Sequence, residues 1–368
     1  MFSFSRENTG KIAKWWRNID RQILFLFIFL FLLGLFFSFS STSSVIAEKM
    51  NKDTYFFFKR HLIFVLISLV LLIVISIQEK NKIVKLLLPL FVFSIFLLFL
   101  VLFFGTEVKG SKRWIDLIFV PRFQPVELVK PIFILFTAKV IILNHNQNVY
   151  SRYAFSFFIL SIIIILLVNQ PDLGQTLLLL FSWLTMIFVA GFNMFTLIIL
   201  SLCVLSIFGL LIFFFPSKFG YVFLRIQTFI NPKTGDNFQS QKALDAIKQG
   251  GLTGQGMGEG ILKDQVPEAH TDYIIAVVSE EYGAIFVLFI IILFLFLGYK
   301  ISNKVFSEQD EFIKLILVGL YSLLIIQAFI HIGVNIRLLP TTGMTFPFLS
   351  YGGSSLIGSS IIAGLILN

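Results

Sequence analysis

The chain has 368 residues, 57% hydrophobic and 13% charged, with a formal net charge of +9. Its mean hydropathy of +0.91 lies far outside the soluble globular range and indicates a polytopic membrane protein rather than two or three soluble domains. The single cysteine, Cys203, excludes an internal disulfide, and the four histidines (His61, His145, His270 and His331) show no recurring metal-ligand spacing, so no structural zinc site is expected.

A basic leader, residues 1–22, precedes the first apolar run, and no small-residue cleavage site follows it, so the run is expected to remain as a span. Apolar runs long enough to cross a bilayer lie at 23–40, 61–77, 83–104, 195–215, 273–297 and 312–333. Shorter runs lie at 128–143, 154–168, 173–190 and 352–367, which length alone also permits as buried or re-entrant segments. The fold class expected is therefore all-α and polytopic, with a single transmembrane domain over 23–368. Counting from residues alone gives about eight to ten spans. Lys and Arg divide almost evenly between the two sides, so positive-inside bias does not set the orientation by counting. The basic leader with Lys80, Lys82 and Lys85 favours a cytoplasmic N-terminus. The outer cations suggest loops that meet an anion.

The first polar constellation is Gly110–Asp116, followed by Arg122-Phe123-Gln124-Pro125-Val126-Glu127-Leu128-Val129-Lys130-Pro131. Lys112, Arg113, Arg122 and Lys130 could neutralise phosphates, with Arg suited to bidentate contact. Trp114 could equally be an interfacial anchor. Lys130 heads an apolar run, where charge is costly, and could form a buried pair with Glu127. Next, Asn169-Gln170-Pro171-Asp172 reads as a turn with a helix cap, structural unless something recruits Asp172.

The one long non-apolar segment, 216–272, is read as an outer loop with a short amphipathic helix near 239–247. Its glycine-rich tract, Gly250–Gly260, follows no strand, which argues against nucleotide binding and for a flexible loop over a substrate. Then comes a polar island: Glu268, His270 and Asp272, with Glu280 and Glu281 two turns into the next apolar run. Ionisable groups there usually face a cavity, a partner or a substrate. Asp272 can be the N-cap of the following helix or a catalytic base whose partial desolvation suits proton transfer; the two roles can coexist. Finally, Arg337–Ser355 holds two prolines and many hydroxyls between the last two runs, an irregular backbone that reads as a substrate-facing wall.

In this order, the constellations resemble the SEDS family of cell-wall polymerases. The matching pieces are Gly110–Ile115 with Gln124–Glu127 and Lys130; Gln170–Gly174; Gln239–Gly260; Pro267–Gly283; and Leu339–Ser355. The resemblance implies a ten-span protein of the bacterial cytoplasmic membrane. Such a protein polymerises lipid II, the undecaprenyl-pyrophosphate-linked precursor, into glycan strands on the outer face, working with a class B penicillin-binding protein. It places the family's essential aspartate on Asp272 and its outer-loop tryptophan on Trp114. The expected partners are lipid II, that penicillin-binding protein, other division proteins and membrane lipid, not nucleic acid. Thr342-Gly343-Met344-Thr345 resembles the division branch more than the elongation branch, implying a septal location. Thr342 stands where many division members carry Lys, and Val126 where the family usually has Ser, so those two polar roles do not carry over.

The chemistry expected is removal of the acceptor 4-hydroxyl proton by Asp272, with cations easing departure of the pyrophosphate. Lys112, Arg113, Lys130 and Arg225 are the candidate cations. Glu127, Glu268, His270, Ser350 and Tyr351 complete the expected substrate contacts. A divalent cation, Mg or Mn, could share the work, though the sequence shows no dedicated site. Competing expectations are a lipid II flippase or other transporter, an elongation polymerase, and a non-catalytic scaffold.

Overall fold

The computed structural model describes residues 10–41, 55–108, 111–117, 120–142, 148–214, 216–230 and 238–368. Each of the ten apolar runs falls on a helix. In chain order the helices are α1 Lys11–Asn18, α2 Arg21–Ser41, α3 Phe56–Ser76, α4 Lys80–Phe104, α5 Val126–Ile142, α6 Val149–Asn169, α7 Leu173–Val189, α8 Met194–Phe214, α9 Pro216–Ile230, α10 Phe238–Gly250, α11 Ile274–Ser307, α12 Glu311–Asn335 and α13 Gly353–Leu367. Among the described residues, six helices have the length and apolarity to cross a membrane by themselves; α7 and α13 are shorter apolar helices. The protein is thus a multi-pass helical membrane protein. Helices satisfy their own backbone polar groups, which is why apolar sequence in lipid adopts them.

Burial ranks the helices. The apolar windows of α2 and α12 are 61% buried and those of α3 and α4 only 22%, so α2 and α12 are central. α13 packs on α3, while α12 packs on α5, α7 and α11. Small residues set the closest approaches. A Cβ on Gly34 of α2 would lie 2.4 Å from the carbonyl oxygen of Phe348, whose ring packs on Phe27 and Phe31 of the same helix. This contact fixes the irregular 336–352 segment against the core.

One end of the bundle is closed by the leader and the C-terminal residue. Trp15 of α1 donates to Ser76 Oγ at 3.0 Å, and Asn368 donates to the carbonyls of Ile75, Ser76 and Gln78. At the other end lies a three-stranded antiparallel sheet of β1 Thr106–Val108, β2 Ser111–Leu117 and β3 Val120–Phe123, in the order β1-β2-β3. Thr106 pairs with Trp114 and Ile115 with Phe123. The sheet is an addition to the all-helical expectation.

The 216–272 segment is more ordered than the expected loop, holding α9, α10 and a short 3-10 turn, Leu262–Gln265. The expected amphipathic helix is present as α10. The glycine tract is not the free loop expected from its composition. It is latched to α11 at a break where Gly283 adopts φ 80, ψ 173. Ala284 N–H donates to Gly251 O at 2.9 Å, and the N–H groups of Gln255 and Gly256 donate to the Glu280 and Glu281 carbonyls at 2.9 and 3.0 Å. Glycines are required because the backbones touch: a Cβ on Gly283 would lie 2.2 Å from Leu252 O. Glu280 and Glu281 serve this latch. Glu280 accepts from Leu262 N–H at 2.7 Å, and Glu281 pairs with Lys263.

Candidate active site

A cavity of about 270 Å³ opens at the sheet end of the bundle, where α5, α7, α11 and α13 all begin. Its wall draws on β2 (Arg113, Trp114), α5 (Glu127), α7 (Gln175), α9 (Arg225), the turn before α11 (Glu268, Asp272) and the 341–355 segment. The volume is slightly under the roughly 300–1,000 Å³ of ligand pockets, so it suits the reacting ends of large substrates.

Asp272 lies in the turn ahead of α11, and its carboxylate and the Arg113 guanidinium both border Gly343. A Cβ built on Gly343 would lie 3.6 Å from Asp272 Oδ2 and 3.7 Å from an Arg113 guanidinium nitrogen. Gly343 has φ 70, so both space and backbone favour glycine there. The helix cap that Asp272 could supply comes from elsewhere: Ala276 N–H donates to Asn335 Oδ1 at 3.1 Å. Glu268 also lines the cavity, from a backbone with φ 58.

Arg113 is buried, with an NH1–Asp172 Oδ1 separation of 3.6 Å and a hydrogen bond to Pro171 O. Asp172 caps α7 through Gln175 N–H and also accepts from Gln124 Nε2 at 3.3 Å, so it is recruited to the site after all. Arg225, which also lines the cavity, donates to Thr341 O at 3.1 Å. Burial pulls its guanidinium below the ordinary value and Arg113 acts in the same direction, while Asp172 and Asp272 oppose them. Burial, reinforced by Asp272, raises the Tyr273 phenol well above its ordinary value, so it stays a protonated donor.

The expected Glu127–Lys130 pair exists. Lys130 Nζ lies 2.7 Å from Glu127 Oε2, both side chains being nearly inaccessible. Lys130 also donates to Gln327 Oε1 at 3.1 Å, and Gln327 Nε2 donates to Thr345 O at 2.9 Å. Only Glu127 of the pair lines the cavity; Lys130 acts behind the wall.

Three more expected contacts lie off the cavity lining. Lys112 is exposed on β2 while Arg113 points inward, the ordinary alternation of a strand. The His270 ring packs on Phe57 and Tyr351, with centroids 4.6 and 5.6 Å apart, and so supports Tyr351, which does line the cavity. Ser350 is buried and donates to Thr271 O at 2.7 Å, pinning the 346–350 turn to the aspartate segment. The sequence does not mark Asn335, Gln124 or Gln175 as site residues; Gln124 sits within a quoted motif, but none of the three carries a charge.

Fold and site together define a polytopic membrane protein with three carboxylates (Glu127, Glu268 and Asp272) and two guanidinium groups (Arg113 and Arg225) around a cavity at one end of its bundle. The sequence profile of the FtsW/RodA/SpoVE family, described as cell cycle protein, matches residues 20–368, and the chain belongs to this family. It is 32% identical over 366 residues to the probable peptidoglycan glycosyltransferase FtsW of Caulobacter vibrioides, covering 99% of this chain and 92% of that protein. The correspondingly named Haemophilus influenzae protein is 34% identical over 89% of this chain and 84% of its own length. Among solved structures, a chain of a peptidoglycan synthase complex, described for its coordination of polymerization and crosslinking, matches with a TM-score of 0.77 at 25% identity, over 95% of this chain and 96% of that one. The Thermus thermophilus rod shape determining protein RodA matches with a TM-score of 0.70 at 25% identity, over 96% of each chain.

Proposed function

We propose that this protein is a peptidoglycan glycosyltransferase of the FtsW type, polymerising lipid II on the outer face of the bacterial cytoplasmic membrane at the division septum. The relatives' names support the activity, and Thr342–Thr345 supports the division branch. The observation that carries the reading is that Asp272, Arg113 and Arg225 line one cavity, with the Asp272 carboxylate and the Arg113 guanidinium both bordering Gly343. One base and two cations suit an inverting transfer in which pyrophosphate leaves without an acid.

In this scheme Asp272 accepts the proton of the acceptor's sugar 4-hydroxyl. The hydroxyl oxygen forms a bond to the anomeric carbon of the donor strand, the bond from that carbon to the pyrophosphate oxygen breaks, and undecaprenyl pyrophosphate departs. Negative charge grows on the leaving group, where Arg113 and Arg225 stabilise it. A general base contributes about 10²–10⁴-fold to such a step. A class B penicillin-binding protein would cross-link the product.

Among the described residues no group of three or more His, Cys, Asp or Glu side chains is placed to hold a metal ion. A divalent cation would arrive on the substrate's pyrophosphate.

The test is lipid II polymerisation by purified protein with its penicillin-binding protein, using Asp272→Ala as control. Glycan strands from wild type and at least about 100-fold less from the variant are expected. Lipid translocation without polymer would instead favour a flippase, and neither activity a scaffold.

A further inference from the structure

Asn335, the last residue of α12, is fully buried and uses both ends of its amide. Its Oδ1 accepts from Ala276 N–H, while its Nδ2 donates to the main-chain oxygens of Asp272 and His331 at 3.1 and 2.8 Å. Ala276 lies in the first turn of α11, and its N–H is shared between Asn335 Oδ1 and the Tyr273 carbonyl 3.0 Å away, the short-range bond of a helix's opening turn. The residue at the cap position, Tyr273, makes no side-chain cap. An aspartate just ahead of it has the chemistry to take that amide. Asn335 takes it instead, from a different helix.

We propose that Asn335 is a positioning residue for the glycosyl transfer: it caps α11 and grips the Asp272 main chain, so that the Asp272 carboxylate serves the cavity and not the helix end. This rests on the reading of Asp272 as the base. The charged and titratable groups that line the cavity with Asp272 are Arg113 from β2, Arg225 from α9, Glu127 from α5, Glu268 and Tyr273 from its own segment, and Tyr351; Asp172 and Tyr221 act on the two guanidinium groups. His331, one turn before Asn335, is tied to Met344 O at 2.8 Å.

The experiment is the pH–rate profile of lipid II polymerisation by the full chain with its penicillin-binding protein. Asn335→Ala removes the side-chain acceptor of the Ala276 amide, which keeps only the Tyr273 carbonyl, and leaves the vacated position to the Asp272 carboxylate. A hydrogen bond to the ionised form favours that form, so the acidic limb should move down by about one pH unit. kcat should fall roughly 10- to 100-fold with KM nearly unchanged, as expected when a base is misplaced. Asn335→Asp keeps an acceptor for Ala276 but sets a second negative charge beside Asp272. Like charge disfavours ionisation, so its acidic limb should move up. Limbs displaced in opposite directions support the proposal, and if one variant fails to insert, the displacement in the other decides. Unmoved limbs with a lower kcat would make Asn335 merely structural and overturn it, as would failure of both variants to insert and purify like wild type. Asp272→Asn separates the two readings. If it keeps wild-type turnover, the base assignment itself falls; if it is inactive while the limbs stay fixed, only the role of Asn335 falls.

Discussion

Arg113 of β2 and Asp172 at the head of α7 lie 3.6 Å apart, joining the small sheet to the bundle at the cavity wall. The pair is buried, and the same guanidinium bonds Pro171 O, so Arg113 both holds the sheet down and presents charge to the cavity. Removing one partner of a buried pair strands the other charge and costs about 3–5 kcal/mol. Arg113→Ala should therefore lower both thermal stability and polymerisation. Arg113→Lys, which keeps the charge but loses the fork, should recover stability more than turnover. Differential scanning of the detergent-solubilised protein beside a lipid II assay checks both.

Lys112 offers the contrast. It is one residue away but exposed and off the cavity. Lys112→Ala should change polymerisation less than about threefold, since isolated surface charges contribute little. A loss as large as that of Arg113→Ala would mean that substrate extends over the outer face of the sheet.

Glu127 and Lys130 make a further case. Lys130→Met leaves Glu127 buried without its cation and should cost about 3–5 kcal/mol, whereas Glu127→Gln with Lys130→Met should restore much of the stability. Activity should not return with it, because Glu127 lines the cavity and Lys130 supports Thr345 through Gln327. Thermal unfolding and polymerisation of the single and double variants separate the two effects.

Gly283→Ala should open the latch between α11 and the glycine tract. Both the φ of 80 and the Leu252 oxygen 2.2 Å from a built Cβ oppose alanine there. Faster hydrogen exchange at the Gln255 and Gly256 amides is the expected signature. Unchanged exchange would show that Lys263–Glu281 suffices to hold the loop.

These residues also show what a sequence can disclose. Asp272, Arg113 and Trp114 were legible because charged or aromatic groups at the edge of apolar runs demand a reason. The Glu127–Lys130 pair was legible from three-residue spacing on a helix. Asn335 was not, because at the end of α12 it reads as an ordinary last residue; its bond to Ala276 spans 59 positions and no local pattern announces it. The glycine tract misled for a related reason. Glycine permits both a flexible loop and a close backbone contact, and only the partner strand of chain, around Gly283, decides between them. Asp172 read as a cap and is one, but its second role needed Arg113 to be brought 3.6 Å away by the fold.

The break at Gly283 divides α11 into two mechanical pieces. The upper piece, from Ile274, is tied to α12 through Asn335 and to the latch loop through the Glu280 and Glu281 carbonyls. The lower piece, ending at Ser307, carries the apolar length that meets the bilayer. Between the apolar length and Asp272 the helix is therefore interrupted once, at Gly283, so the segment that carries the aspartate takes its placement from α12 and the glycine tract rather than from an unbroken rod through the lipid.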